Sequence, residues 1–159
     1  MSADTFMHIE SFKVKGRPQA WQRPCRNRAG QVYNPNATGQ QRFADICSGQ
    51  MARKFSDSAA LVVEIDFYFK RPLTHFKRNI YGDLVRKIDA PNRCIMKVDI
   101  DNLGKFVLDA LTGVAYDDDR QIVRLVLAKR YTDIIPIDID EHVDEQGEEY
   151  TVVFISRVV

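Results

Sequence analysis

Residues 61–70, LVVEIDFYFK, alternate so regularly that they commit the chain to a sheet with one buried face. Leu61, Val63, Ile65, Phe67 and Phe69 fall on one side, and Glu64, Asp66 and Lys70 on the other. A period of two is that of a half-buried strand, and the β-branched and aromatic content suits a pleated surface. Further strands are expected at residues 6–15, ended by Gly16-Arg17-Pro18, at 121–131 and at 150–157. Twice the period becomes helical. Phe43, Ile46, Cys47, Met51 and Phe55 predict an amphipathic helix over residues 39–55, with Thr38 and Gln41 as a capping box. Leu103, Phe106, Val107, Ala110 and Leu111 predict a second helix from residue 101, capped by Asp101 or Asn102 and ended at Gly113.

The 159 residues contain no internal repeat and no linker, so one domain covering residues 1–159 is expected, large enough to bury a core unaided. Cys25, Cys47 and Cys94 are odd in number, far apart and without a C-x-x-C or a histidine at ligand spacing. Neither a disulfide framework nor a zinc site follows, and a reducing compartment is expected. No apolar run approaches the roughly 18–20 residues of a membrane span, and Met1 to Met7 lack the layout of a signal peptide. The expectation is a non-secreted, intracellular protein without a membrane partner, in the cytoplasm or at the nucleoid if its host is prokaryotic or a phage.

Net charge is only +1, but the charges are segregated. Eight acids and no Lys or Arg lie between Asp133 and Glu149; elsewhere 23 bases face 14 acids, a surplus of nine that points to a polyanionic partner. Two basic stretches stand out. Lys13, Lys15, Arg17, Arg23, Arg26 and Arg28 surround Trp21 with no acid among them. Such a loop can grip phosphates and stack on splayed bases, or it can be a solvated loop whose tryptophan caps the core. Residues 71–97 show no period and carry Arg71, Lys77, Arg78, Arg86, Lys87, Arg93 and Lys97 against Asp83 and Asp89. A connection of that length reads as a basic, substrate-gripping flap. Residues 134–149 read as an acidic loop, which would repel a polyanion and so is expected to lie away from an active face or to inhibit it.

Residues 98–121, VDIDNLGKFVLDALTGVAYDDDRQ, carry the chemistry. An extended segment over residues 97–101 would put Asp99 and Asp101 on one face, with Lys105 one helical turn beyond Asp101. After the helix, Asp117, Asp118 and Asp119 crowd a turn before the next strand. Carboxylates this dense suit a hard divalent cation such as Mg²⁺ or Mn²⁺, which stabilises both oxygens of a phosphodiester displacement, while Lys105 supplies positive charge to the phosphate. Two other readings compete. An EF-hand fails because Leu103 and Ala110 stand at its fifth and twelfth positions; a cap at Asp101 and a plain turn at residues 117–119 remain open.

The run K-V-D-I-D-N-L-G-K-F-V-L-D-A-L-T-G-V-A-Y-D-D-D-R-Q-I resembles the signature of the RusA-type Holliday junction resolvases, D-x-D-N-x-x-K-x-x-x-D-A-L followed by a turn, an aromatic, D-D and Q. The opening G-R-P-Q-A-W-Q-R-P, with Tyr33-Asn34-Pro35, is similar to the family's N-terminal pattern more loosely. The resemblance implies an α+β fold with a mixed, mostly antiparallel sheet and two main helices. It implies Asp99, Asp101 and Asp119 as metal-binding catalytic acids, with Asp118 a further metal candidate, and Lys105 as the catalytic base-type residue. It also implies a homodimer making paired symmetric nicks in a four-way DNA junction with Mg²⁺ or Mn²⁺. The longer flap and the acidic insertion depart from the family's compact pattern. A junction-binding module that no longer cuts is the alternative.

Overall fold

The computed structural model describes residues 6–132 and 147–158. Four long strands form one sheet: β1 (Phe6–Lys15), β4 (Ala60–Phe69), β7 (Ile122–Tyr131) and β8 (Tyr150–Val158), in the order β1-β8-β4-β7. β8 runs antiparallel to both β1 and β4, whereas β4 and β7 are parallel. The α+β architecture with a mixed, mostly antiparallel sheet is thus observed. Two small hairpins stand apart, β2 (Cys25–Arg26) with β3 (Val32–Tyr33), and β5 (Phe76–Arg78) with β6 (Leu84–Arg86). The flap is therefore partly ordered, by strands too short for periodicity to reveal.

Both helices, α1 (Ala37–Gln50) and α2 (Ile100–Leu111), belong to one core with the sheet. Leu61, Val63, Ile65, Phe67 and Phe69 of β4 are buried as their alternation predicts, against Phe43 and Cys47 of α1 and Leu103, Phe106 and Val107 of α2. Burial pushes the Cys47 thiol up to about 12, far from a reactive value. Among the described residues all three cysteines are free, and no helix is long and apolar enough to cross a membrane.

Two expected helix features are corrected. α1 spans residues 37–50 rather than 39–55, since Met51 turns to extended backbone and Phe55 enters the core from a loop, its N–H donating to the Ala115 carbonyl at 2.9 Å. The Thr38–Gln41 capping box is absent: Asn36 holds the N-cap position, and its side chain accepts the Gln22 N–H at 2.9 Å and donates to the Gln22 carbonyl at 2.7 Å. That exchange ties the basic loop to the helix instead.

Close approach fixes α2 on β7. A Cβ on Gly104 would stand 2.6 Å from Leu127 Cδ1, so this helical glycine, costly by about 1 kcal/mol against alanine in isolation, lets the helix approach the strand. Gly104→Val should lower stability by about 2 kcal/mol through overpacking. Adding Leu127→Ala should cost less than the two substitutions do separately, which chemical denaturation of the four forms measures; additive losses would show that the two residues do not share this space.

Candidate active site

Helix α2 starts at Ile100, one residue before the expected start, and its N-cap is Asp99 rather than Asp101 or Asn102. Residues 97–101 are not a strand: Val98 lies in a bend, Asp99 is the N-cap with extended backbone (φ −72°, ψ 128°), and the helix begins at Ile100. The Asp99 carbonyl accepts the Leu103 N–H at 3.1 Å, so burial of Leu103 and Phe106 carries the helix back over Asp101. Asp99 and Asp101 therefore share the first turn of a helix rather than a strand face. Acids are favoured there by the helix dipole, yet the Asp99 side chain does not cap. Both carboxylates are exposed, and among the described residues neither has a side-chain partner.

Two contacts hold this turn in place. Lys129, on the helix-facing side of β7, donates from Nζ to the carbonyls of Met96 and Val98 at 2.8 and 2.9 Å. Sequence reasoning missed this lysine; its signal is a basic residue at an inward register position, in phase with Leu127 and Tyr131. Trp21 donates its backbone N–H to the Asn102 carbonyl at 2.9 Å, and its ring lies under Lys105, whose Nζ is 3.5 Å from the ring centroid. Such a cation–π contact restrains an exposed lysine without neutralising it. Trp21, open between base stacking and core capping, packs at the core's margin and steadies Lys105 beside Asp101.

The acids after α2 have separate tasks. The Asp118 carboxylate accepts the Arg120 N–H at 2.9 Å, capping the 3-10 turn Asp119–Gln121, and this bond followed by the Arg120 charge holds its carboxyl below the usual range. Asp117 pairs with Lys54. Buried Gln121 accepts the N–H groups of Asp117 and Asp118 and donates to the carbonyls of Ser56 and Ala59. Asp119 is left exposed. Tyr116 is fully buried, its hydroxyl donating to the Leu108 carbonyl at 3.0 Å; burial, together with the charges of Asp119 and Asp109, pushes its phenol up. Asp119 and Asp109 thus belong to the far end of α2.

About 15 Å of helix separates Asp101 from Leu111. The structure brings Asp99, Asp101 and Lys105 together, and it leaves Asp119 apart from them. Among the described residues no three His, Cys, Asp or Glu side chains gather as a metal site. The two carboxylates at the start of α2, unengaged among the described residues, are oxygen donors of the kind a hard cation takes.

The basic residues divide as well. Arg23, Arg26 and Arg28 are exposed on and before the β2–β3 hairpin, rooted by Trp21 at the start of α2. Lys77, Arg78, Arg86, Arg93 and Lys97 are exposed along the flap, whose Lys87 donates to the Thr74 carbonyl at 2.8 Å. Lys13 lies 4.2 Å from the Tyr150 ring centroid. Lys15 pairs with Glu148 at 2.9 Å and Arg17 with Glu149 at 3.4 Å. Apart from Gly147, Glu148 and Glu149, the acidic insertion lies outside the described residues, so the expectation for its placement rests on those three alone.

The family model for endodeoxyribonuclease RusA matches residues 15–140, which include Trp21, Asp99, Asp101, Lys105, Asp119 and Lys129 but not Lys13. The chain belongs to the RusA endodeoxyribonuclease family. RusA enzymes are Holliday junction resolvase-type endonucleases that act on branched DNA and generally depend on divalent metal. No curated protein shows significant similarity to the chain. For this RusA-family chain the pairing of Trp21 with Lys105 is open to direct observation, because Trp21 is its single tryptophan. Lys105→Met should change the tryptophan emission intensity, whereas Lys87→Met should not; identical spectra for Lys105→Met and the parent would show that the ammonium does not sit over the ring.

Proposed function

We propose that this chain is a Mg²⁺- or Mn²⁺-dependent endonuclease that resolves four-way DNA junctions by paired symmetric nicks, acting as a homodimer. The observation that carries this reading is the family match together with Asp99, Asp101 and Lys105 on one exposed helical turn between two basic hairpins. The hairpins and the Trp21 loop hold the phosphate backbone and give binding its salt dependence. Asp99 and Asp101 offer oxygens to the cation, and Lys105 places positive charge against the phosphate as charge builds in the displacement. When bound, the cation supplies charge stabilisation and lowers the pKa of an attacking water.

Asp119 enters this scheme from a second copy. β7 is an edge strand of the sheet, and Val123, Leu125 and Val126 on it are exposed at 64%, 41% and 39%. An apolar edge of this kind favours pairing with another strand. Two copies of β7 meeting antiparallel about a two-fold axis put the start of one strand, with Asp119, at the end of the other. There Lys129 supports the turn bearing Asp99 and Asp101. Each site then draws on both chains, and two sites related by symmetry suit a junction with two equivalent strands to cut.

A junction-binding module that does not cut is the second reading. Exposed, unengaged carboxylates facing a polyanion weigh against it, because they oppose binding unless a cation is used there. A synthetic four-way junction with Mg²⁺ separates the two. The parent chain should make symmetric nicks, and Asp101→Asn should reduce their rate by more than roughly 100-fold while junction binding persists. A parent chain that binds the junction but nicks it with neither Mg²⁺ nor Mn²⁺ would leave the binding module standing.

A further inference from the structure

The flap ends in a built tip. In the hairpin, Phe76 pairs with Arg86, Lys77 with Val85 and Arg78 with Leu84. At the turn the Asn79 side chain accepts the N–H groups of both Tyr81 and Asp83 at 2.9 Å, and its amide donates to the Asp83 carboxylate at 3.1 Å. The Asn79 N–H reaches the Asp83 carbonyl at 2.9 Å, and Arg78 donates to the Gly82 carbonyl at 2.6 Å. Gly82 supplies the left-handed backbone (φ +88°) that closes the turn. Inside this bonded turn Ile80 and Tyr81 stand 90% and 82% exposed. Turns of this kind usually end in polar residues; a self-braced turn holding an aliphatic and an aromatic side chain in water is organised for contact.

The surroundings select the partner. Lys77, Arg78, Arg86 and Lys87 line the hairpin, and Asp83, its one acid, is spent on Asn79. An apolar point on a basic stalk matches a polyanion whose interior is flat and apolar, that is, nucleic-acid bases behind their phosphates. The root is firm: Arg71 is buried over the Tyr131 ring at 4.1 Å, and the Lys87 N–H donates to the His75 carbonyl at 2.9 Å. From the hairpin the chain runs through the Lys129-anchored residues 96–98 into Asp99. The tip and the metal-facing acids therefore lie on one connected segment.

We propose that Ile80 and Tyr81 form a wedge that enters the open centre of a branched DNA, Tyr81 stacking on a base at the branch point and Ile80 filling the gap. This rests on the reading that the chain acts on branched DNA and goes beyond it by naming the element that recognises the branch. At a branch point base pairs lack a stacking neighbour, so insertion costs less there than within a continuous duplex, and the wedge confers preference for branches.

The test uses the full-length Asp101→Asn chain, a four-way junction with 2-aminopurine at the branch point, and a duplex of matched length. Binding should raise the 2-aminopurine emission. Tyr81→Ala and Ile80→Ala should abolish the rise and weaken junction binding roughly tenfold while duplex binding stays within about twofold, and Tyr81→Phe should retain both. An unchanged junction-to-duplex preference in Tyr81→Ala overturns the wedge, as does a loss confined to oligomeric state in sedimentation, which would make the tip a protein contact. The nuclease reading fails separately. Absence of nicking by the parent chain with selectivity and the fluorescence rise intact sinks that reading alone, whereas nicking by a Tyr81→Ala chain that keeps full junction preference sinks the wedge alone.

Discussion

Parallel pairing of β4 with β7 is the constraint on which the rest of the molecule depends. An antiparallel pair can be closed by two residues, but a parallel pair requires the chain to travel back across the sheet before the second strand begins. Here that return journey is residues 70–121, and it contains the flap, α2 and every candidate catalytic acid. Because α2 runs back against the strand direction, its first turn lies by Lys129 near the end of β7, and the turn after it lies by Gln121 at the start of β7. Asp99 and Asp101 are consequently parted from Asp119 by the topology itself, whatever their spacing in sequence.

Electrostatics reinforces this separation. Six acids fall from Asp99 to Asp119, after Asp83 and Asp89 of the flap, and several are already engaged: Asp117 is held by Lys54, Asp118 by its cap, and Asp83 by Asn79. Among the described residues those at the first turn of α2 have no such partners. On the opposing side, the bases nearest the end of the acidic insertion are already matched, Lys15 with Glu148 and Arg17 with Glu149, with the Glu149 carboxylate also accepting the Lys70 N–H at 3.1 Å. Arg23, Arg26, Arg28 and the flap bases face solvent instead. The basic surplus of the chain is thus directed toward the end of the sheet that carries Asp99 and Asp101.

Much of this was legible because burial writes a period into sequence. β1 spans the predicted residues 6–15, and the alternation of residues 61–69 matches the buried face of β4 residue for residue. What escaped was set by contacts between distant segments. Phe55 continues a helical spacing yet reaches the core from a loop because its N–H meets Ala115, and the β5–β6 strands are too short to show a period. The first turn of α2 looked extended because Val98 and Ile100 flank Asp99 in alternation, whereas the demand to bury Leu103 sets the helix start. The motif singled out the acids and the lysine, but motif spacing cannot say how far apart the fold sets them.

The central claim is that a working site is split along α2 and completed by a second copy. Its most direct measurement mixes two separately inactive chains, Asp101→Asn and Asp119→Asn, in equal amounts under conditions that exchange subunits, and follows nicking of a four-way junction with Mg²⁺. If Asp119 acts across the two-fold axis, half of the dimers are mixed and each carries one intact site, so the mixture should recover about a quarter of the parent's sites. A mixture as inactive as either chain alone, with subunit exchange verified, would contradict the account and place all three acids in one chain.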